Sequence, residues 1–186
     1  MRARALKDTL QFLGEHRPGL ASTMEVDAPP EALCSIREAL PMEWIPASLS
    51  RGLIEVVVAE LGEARAPEVW RDLVNFTMRH SPVIGPLISV ATTVGLAAPW
   101  SFAKQIPRGW ENTYRGYGVP SVVRDGDAAA VVDWEEVPDY LFEHPVHYVA
   151  IEGGLMGVVE LSGRPCSANL ELDRASSRVQ ARLRWG

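Results

Sequence analysis

Hydrophobic positions recur at intervals of three and four residues through the first part of the chain, as they do along one face of a helix. Prolines and glycines flank these runs where helices are expected to begin and end. The pattern predicts an N-terminal helical half, with helices over Ala3–His16, Glu31–Leu40, Ser48 or Ser50 to Leu61, and Pro67–His80.

The next stretch, Ser81 to Ala103, contains no charged residue. It is long enough to cross a bilayer, but Pro82, Pro86 and Pro99 interrupt it. We therefore predict one or two helices buried in the core, Ile84–Leu96 and Trp100–Lys104, and no transmembrane span.

In the C-terminal part, hydrophobic residues recur at every second position, which is typical of half-buried strands. Ser121–Arg124 and Ala128–Trp134 flank Asp125-Gly126-Asp127, a strong hairpin signal. The alternating runs that begin at Cys166 and end at Trp185 predict a second hairpin.

Between the hairpins, Val146–Gly163 is predicted to form a helix with three glycines near its centre. Each glycine in a helix costs roughly 1 kcal/mol relative to alanine, so we expect close packing to compensate for that cost. Gly153 and Gly157 lie on one helix face with Ala150 beside them. This face is predicted to accept another helix or a sheet, either within the chain or across a dimer.

These elements predict an α+β fold in which a helical N-terminal half packs on a small antiparallel sheet, with a Gly-rich helix between two hairpins. We expect a single domain over 1–186, mainly helical over 1–118, with the hairpin, helix and hairpin over 119–186. Hydrophobic residues make up 47% of the chain and charged residues 23%, values typical of a globular protein.

The composition and the missing motifs narrow the function. The net charge of -6 and the lack of a basic cluster disfavour nucleic-acid binding, and two distant cysteines indicate a reducing compartment, here the cytoplasm. The chain lacks the nucleophile elbow, the metalloprotease motif and the phosphate-binding and dinucleotide-binding loops. We therefore favour a non-enzymatic protein.

An aromatic and basic run follows the uncharged stretch. Arg108, Trp110, Tyr114, Arg115 and Tyr117 can stack on a planar ligand or clamp an anion, although Trp110 and Tyr114 can equally pack on the core. Together with the apolar Ile84 and Leu87 they are the candidate ligand-binding residues.

Histidines and cysteines offer weaker candidates. His144 and His147, or His80 at a helix end, can bind a metal or haem. Only Asp139 or Glu143 is near enough in sequence to be a third ligand for the pair, and ordinary structural histidines explain the pattern better. Cys34 can be an acylation or redox site, or simply a small buried hydrophobic residue. No metal site and no specific cofactor are predicted.

Several segments together resemble a paralogous family of proteins first described in myxobacteria. They are Leu10–Leu13, Trp44-Ile45-Pro46, Leu61-Gly62, Pro82–Leu87, Trp110–Gly118, and the Gly-rich helix with the hairpin that ends at Trp185. That family is similar to a wider group that includes 4-vinyl-reductase-type domains, TRAPP trafficking subunits and, more distantly, haem nitric-oxide-binding domains. The resemblance implies a small-molecule or lipid pocket between helices and sheet, or a dimerising scaffold.

Three hypotheses follow. The first is a sensory or scaffold domain that holds an apolar small molecule or lipid between Ile84–Leu96 and the C-terminal sheet. The second is a protein-interaction module that forms a homodimer, or pairs with a related paralogue, and binds no ligand. The third is a haem or metal-dependent sensor or enzyme that uses the histidines named above.

Overall fold

A computed structural model describes residues 1–82, 84–94 and 97–186 of the chain. The N-terminal half is helical, as predicted. Its helices are α1 (Ala3–His16), α2 (Pro18–Asp27), α3 (Pro30–Glu38), α4 (Ser48–Leu61), α5 (Pro67–Arg79), α6 (Ile84–Thr93), α7 (Pro99–Ala103) and α8 (Ile106–Thr113).

The C-terminal half contains two hairpins separated by helices, and the predicted α+β class is confirmed. Its elements are β1 (Val119–Arg124), β2 (Ala129–Glu135), α9 (Asp139–Glu143), α10 (Val146–Glu160), β3 (Cys166–Asp173) and β4 (Arg178–Trp185). The short helix α9 was not predicted from the sequence.

Helix α2 was also missed, because Pro18 was interpreted only as a stop signal for α1. Proline lacks an amide hydrogen but is tolerated in the first turn of a helix, where that donor has no intrahelical partner. Pro18 begins α2 in this way, as Pro30 and Pro67 begin α3 and α5.

The four strands form one antiparallel sheet in the order β1-β2-β4-β3. The second hairpin thus pairs with the first through β2 and β4, where Val132 lies opposite Ala181. Buried positions alternate along both central strands, so one face of the sheet carries the core.

Helix α10 joins the two halves of the molecule. It packs against α5 on one side and against β3 and β4 on another. A Cβ atom at Gly153 would overlap the Pro67 carbonyl oxygen, and one at Gly157 would lie 2.7 Å from the Arg71 carbonyl oxygen. The glycine face therefore lies against α5 of the same chain, which removes the reason for assigning this face to a dimer. Ala150 is half-buried on the same helix.

Hydrophobic side chains form two clusters, one on either side of α10. The first lies among the N-terminal helices and includes Leu13, Ile36 and Val57. The second lies between the sheet and helices α8, α9 and α10, and it includes Trp110, Trp134 and Leu183. The second cluster contains the candidate site.

The prediction that Ile84–Leu96 is buried is wrong for the part that the structure describes, whereas Leu96 lies outside the described residues. Helix α6 packs on α5 through Gly85, where a Cβ would overlap the Arg79 carbonyl oxygen. Its other face is open, with Leu87 66% and Val90 62% exposed. A run without charges indicates burial only when another element covers it, and here only one side is covered. In the part of the chain that the structure describes, no helix is long and apolar enough to span a membrane.

Candidate functional site

Four aromatic side chains meet between the sheet and the helices that cover it. Trp110 comes from α8, Tyr117 from the loop after it, Trp134 from β2 and Tyr148 from α10. These four residues, which we call the aromatic site, line a small cavity together with the aliphatic residues Val137, Leu141, Ile151 and Val179. Its volume is about 10 Å³, room for about one water molecule.

Local structure explains why these rings converge. Trp134 occupies an inward position of β2, where buried and half-buried residues alternate. Tyr117 lies between Gly116 and Gly118, whose φ angles of 66° and 82° turn the chain from α8 into β1. A Cβ at Gly118 would approach the Glu135 carbonyl oxygen to 2.9 Å, so a glycine is needed for this close approach.

The aromatic site concentrates unpaired polar atoms. Trp110 Nε1, Trp134 Nε1, Tyr117 Oη and Tyr148 Oη are all buried, and within the described residues none makes a hydrogen bond of normal geometry, although the Ser50 hydroxyl lies close enough to Tyr117 to affect its pKa. Leaving a buried donor unpaired costs about 1–3 kcal/mol, so four around one cavity form an unusual concentration.

The rings of the site pack on one another. The ring centroid of Trp110 lies 5.3 Å from that of Trp134 and 6.4 Å from that of Tyr117. Tyr114 packs on the other side of the site, with its ring 4.3 Å from Trp110 and 4.9 Å from Tyr117. The walls are therefore mostly ring faces and edges.

Burial raises the pKa values of the two phenols at the site. It raises the pKa of Tyr148 to about 12, and it raises the pKa of Tyr117 further above the usual range, an effect that the neighbouring Ser50 hydroxyl partly opposes. Both phenols are therefore protonated at neutral pH and can donate a hydrogen bond.

A histidine cluster borders the aromatic site. The ring of His147 meets Tyr117 edge-on at 6.2 Å, and its Nε2 shares a hydrogen bond of 3.1 Å with the Tyr140 hydroxyl. Burial, together with the charges of His144 and Arg51, lowers the pKa of His147 to about 4. His147 is therefore neutral at physiological pH and already has a polar partner.

The ligand-binding residues predicted from the aromatic and basic run do not lie together in the structure. Trp110 lines the cavity and Tyr114 packs against it, whereas Arg108 is exposed. Arg115 points away and stacks over the Trp44 ring at 4.3 Å, where Arg2 also stacks. The aromatic and basic run therefore does not form one surface.

Ile84 and Leu87 lie on the open face of α6, and neither lines the cavity. Sequence reasoning did not select Trp134 or Tyr148 for the site. The alternation of hydrophobic and polar residues in β2 predicted that Trp134 faces the core. The sequence did not indicate that Trp134 would contact α8.

The other histidine and cysteine candidates do not lie in reactive or metal-binding surroundings. His80 is exposed, and its Nδ1 lies 2.8 Å from the Phe76 carbonyl oxygen. Cys34 is exposed rather than buried, and its hydrogen bond to Glu38 raises the pKa of its thiol. Burial raises the pKa of the Cys166 thiol to about 12. Among residues 1–82, 84–94 and 97–186, no three or more His, Cys, Asp or Glu side chains are grouped as a metal site.

Comparison with solved structures identifies the fold as that of H-NOX domains, which bind haem and nitric oxide or oxygen. The Fe(II) unliganded H-NOX protein from K. algicida matches with a TM-score of 0.62 and 9% identity, over 100% of this chain and 97% of that one. The H-NOX protein from S. oneidensis in the Fe(II)NO state matches with a TM-score of 0.57 and 12% identity, over 100% and 99% of the two chains. An oxygen-binding H-NOX domain related to soluble guanylate cyclases matches with a TM-score of 0.54 and 14% identity, over 100% and 95%.

No protein-family model matches the chain, and no curated protein sequence does. The similarity to haem nitric-oxide-binding domains that the sequence implied is therefore confirmed at the level of the fold. The relationships to the myxobacterial family and to TRAPP subunits stay predictions. At such low identity the shared fold does not carry the chemistry of the site with it.

Proposed function

We propose that this chain, which has the fold of H-NOX domains, is a non-enzymatic sensor domain that binds a small, mainly apolar molecule or lipid at the aromatic site. The observation that supports the proposal is the concentration of unpaired donors on Trp110, Trp134, Tyr117 and Tyr148. A ligand that reached these atoms and accepted hydrogen bonds from them would recover the free energy that is lost while they are unpaired.

The proposed position differs from the one expected from the sequence. The aromatic site lies between α8, α10 and the sheet, not beneath α6, since much of α6 faces solvent. The proposal keeps the expected position between helices and sheet, and two residues of the aromatic and basic run, Trp110 and Tyr117, line the cavity there.

The lining of the cavity favours binding over catalysis. It consists of Trp, Tyr, Val, Leu and Ile side chains, without a carboxylate, a histidine, a cysteine or a basic group. General acid–base catalysis needs a group whose pKa lies near the working pH, and burial moves the phenols away from it.

The residues at this site do not fit haem. Haem iron is usually held by His, Cys, Met or ionised Tyr, and the tyrosines here stay protonated. The neighbouring His147 is already hydrogen-bonded to Tyr140. We therefore propose that the chain has the fold of H-NOX domains but does not bind haem at this site.

Mass spectrometry of freshly purified protein, under native and denaturing conditions, tests the proposal. We expect a small molecule that dissociates on denaturation, and weaker retention in Trp134→Phe, which removes an indole donor. Leu87→Ser is the matched control because Leu87 is exposed on α6 and does not line the cavity. Ligand-free protein, with a melting temperature that no compound in an aromatic small-molecule library changes, would contradict the proposal.

A second candidate function is self-association through α6, which would make the chain a homodimeric interaction module or the partner of a related paralogue. Ile84, Leu87, Val90 and Val94 are all at least 42% exposed, in a stretch without charged residues. A two-fold contact places identical faces together, so a face without charged residues brings no like charges into direct contact.

Analytical ultracentrifugation tests this second function. We expect twice the chain mass for the parent protein and the single-chain mass for Leu87→Glu. Val123→Glu is the matched control, because Val123 is 65% exposed on β1. A parent protein that stays monomeric at high concentration would count against the dimer and would leave the ligand-binding proposal intact.

A further inference from the structure

The two edge strands of the sheet differ in how well they are protected against pairing. The order β1-β2-β4-β3 leaves β1 and β3 with one strand neighbour each. Such an edge presents backbone groups to which another strand can bind, and proline or lysine on the edge prevents this. In β1 the amide of Asp125 donates to the Ala129 carbonyl oxygen at 3.0 Å, so the backbone of Pro120 faces away from β2. Strand β3, Cys166–Asp173, contains neither proline nor lysine. It is therefore the less protected edge.

Hydrogen bonds at the start of β3 determine which of its backbone groups face the open edge. The Gly186 amide donates to the Pro165 carbonyl oxygen at 3.4 Å, so the backbones of this opposite pair face each other. In an antiparallel ladder the next pair, Cys166 and Trp185, then points the other way. The Cys166 amide accordingly donates to the Glu160 carboxylate at 3.1 Å and not to β4.

The backbone groups of Ala168, Leu170 and Leu172 face the same edge as those of Cys166. Pairing of β3 with β4 is continuous from Cys166 to Asp173, so every second residue points away from β4. Outside the sheet ladder, none of the hydrogen bonds among the described residues involves the N–H or C=O groups of these three residues. The edge therefore offers backbone donors and acceptors at three alternate positions.

The apolar side chains at these positions are only partly covered. Ala181 and Leu183 of the central strand β4 are 0% exposed. Leu170 and Ala168, which lie opposite them on β3, are half-buried, and Leu172 is 46% exposed. Apolar side chains of an added strand would cover this remaining surface, as β3 covers that of β4.

The other face of β3 is acidic. The strand carries Glu171 and Asp173 and no basic residue. Asp173 accepts a hydrogen bond from the Ser176 hydroxyl within the turn. Glu171 is exposed, and Arg178 of β4 pairs with Asp133 rather than with Glu171. A basic residue directly opposite Glu171 in an added strand would supply a cross-strand ion pair.

We propose that the open edge of β3 binds an extended segment of another protein as an added antiparallel strand, and that apolar and basic residues alternate along this segment. Opposite residues of antiparallel strands share a face of the sheet. The apolar residues of the segment therefore lie beside Leu170 and its neighbours and exchange backbone hydrogen bonds with them. The basic residues lie on the acidic face, where one is opposite Glu171. This surface is separate from the aromatic site and from α6.

Fluorescence anisotropy of the full chain with a labelled octapeptide of alternating lysine and valine tests the proposal. We expect saturable binding. N-methylation of the valines removes the amides that bond to β3 and should weaken binding by about tenfold or more, because several hydrogen bonds are lost. N-methylation of the lysines is the matched control, since those amides face away from β3, and it should leave the affinity unchanged.

Exchanging charges tests the acidic face. The parent protein should bind the lysine–valine peptide more tightly than a glutamate–valine peptide, by about two- to fivefold or more, the range expected for a cross-strand ion pair. Glu171→Lys should reverse this preference. Glu111→Lys is the matched control, because it makes the same change in net charge on the exposed surface of α8, which packs on β1 at the other edge of the sheet. It should keep the preference of the parent.

Ala168→Pro tests the edge itself, because proline removes an outward amide there without removing a hydrogen bond to β4. This variant should lose binding of the lysine–valine peptide while keeping the circular dichroism spectrum of the parent. Equal affinities of the two N-methylated peptides, or the same charge preference in the parent and Glu171→Lys, would overturn the proposal. A parent protein that binds neither peptide would also overturn it. So would a parent dimer that Ala168→Pro dissociates, since a second copy would then occupy the edge.

Discussion

The Tyr140 hydroxyl and Nε2 of His147 lie 3.1 Å apart, and this hydrogen bond joins α9 to the first turn of α10. His147 is 3% exposed, so its ring depends on this partner rather than on water. The pair contrasts with Tyr148, the next residue along α10, whose hydroxyl is buried without a partner among the described residues. Two phenols near one site, half-buried Tyr140 and buried Tyr148, thus have opposite hydrogen-bonding states.

Removing the two hydroxyls should have opposite effects on stability. Tyr140→Phe leaves a nitrogen of buried His147 without its partner and should lower the free energy of unfolding by about 1–3 kcal/mol. Tyr148→Phe removes an unpaired group and should leave the free energy of unfolding unchanged or raise it by up to about 1 kcal/mol. Urea denaturation of ligand-free protein measures both. A clear loss of stability in Tyr148→Phe would show that water or another partner satisfies that hydroxyl.

The titration of His147 predicts a dependence of stability on pH. Burial, and to a lesser extent the charges of His144 and Arg51, lower its pKa from 6.5 to about 4 in the folded protein. Between these pH values the unfolded chain binds the proton more readily, so stability falls as pH falls. The contribution of this residue reaches at most about 1.4 kcal/mol per pH unit in that range.

Urea denaturation at several pH values, compared between the parent and His147→Gln, measures this dependence. Glutamine takes up no proton, so the variant should show a shallower fall in stability from pH 6.5 to about 4. His80→Gln is the control, because His80 is exposed, and it should behave like the parent. Equal slopes in the parent and His147→Gln would contradict the buried neutral histidine.

Alanine substitutions at two adjacent glycines of α10 should have opposite effects on stability. Gly153→Ala places a Cβ against the Pro67 carbonyl oxygen and 3.0 Å from Trp70 Cβ, so it should destabilise the protein by about 1–3 kcal/mol or more. Gly154→Ala meets nothing within 4 Å and should stabilise the helix by about 0.5–1 kcal/mol. Thermal unfolding of the two variants checks the contact between α5 and α10. Similar melting temperatures would contradict this packing.

The stacking of two arginines on Trp44 predicts that this ring holds the start of α1 near the loop after α8. The guanidinium groups of Arg2 and Arg115 lie 4.0 Å and 4.3 Å from its centroid. Trp44→Leu should cost about 1–2 kcal/mol, because partly exposed cation–π contacts contribute roughly 0.5–1 kcal/mol each. A double-mutant cycle of Trp44→Leu with Arg115→Gln measures the coupling. Additive effects would show that the stacking contributes nothing.

Local pattern predicted most of the elements because it reports properties within one segment. The spacing of hydrophobic residues located α1, α4 and α5, and the run Asp125-Gly126-Asp127 located the turn of the first hairpin. The three glycines also indicated that α10 would pack closely on another element. Prolines were harder to interpret, since Pro18 begins a helix just after another one has ended.

The candidate site was predicted only in part. The aromatic and basic run included Trp110, but the sequence did not separate inward Trp110 from outward Arg115, because α8 ends between them and the chain changes direction there. Trp134 and Tyr148 are distant along the chain and meet Trp110 only when β2 and α10 close over α8.

The sequence by itself determined the α+β class, the two hairpins and the Gly-rich helix, because periodicity, turn residues and glycine spacing act over a few neighbouring positions. Tertiary structure alone decided that the face of α6 is open, that the glycine face of α10 is covered by α5, and that four aromatic donors surround one cavity. The physical reason is that a pattern shows which residues share a face of an element. What covers that face depends on contacts between residues far apart in the chain.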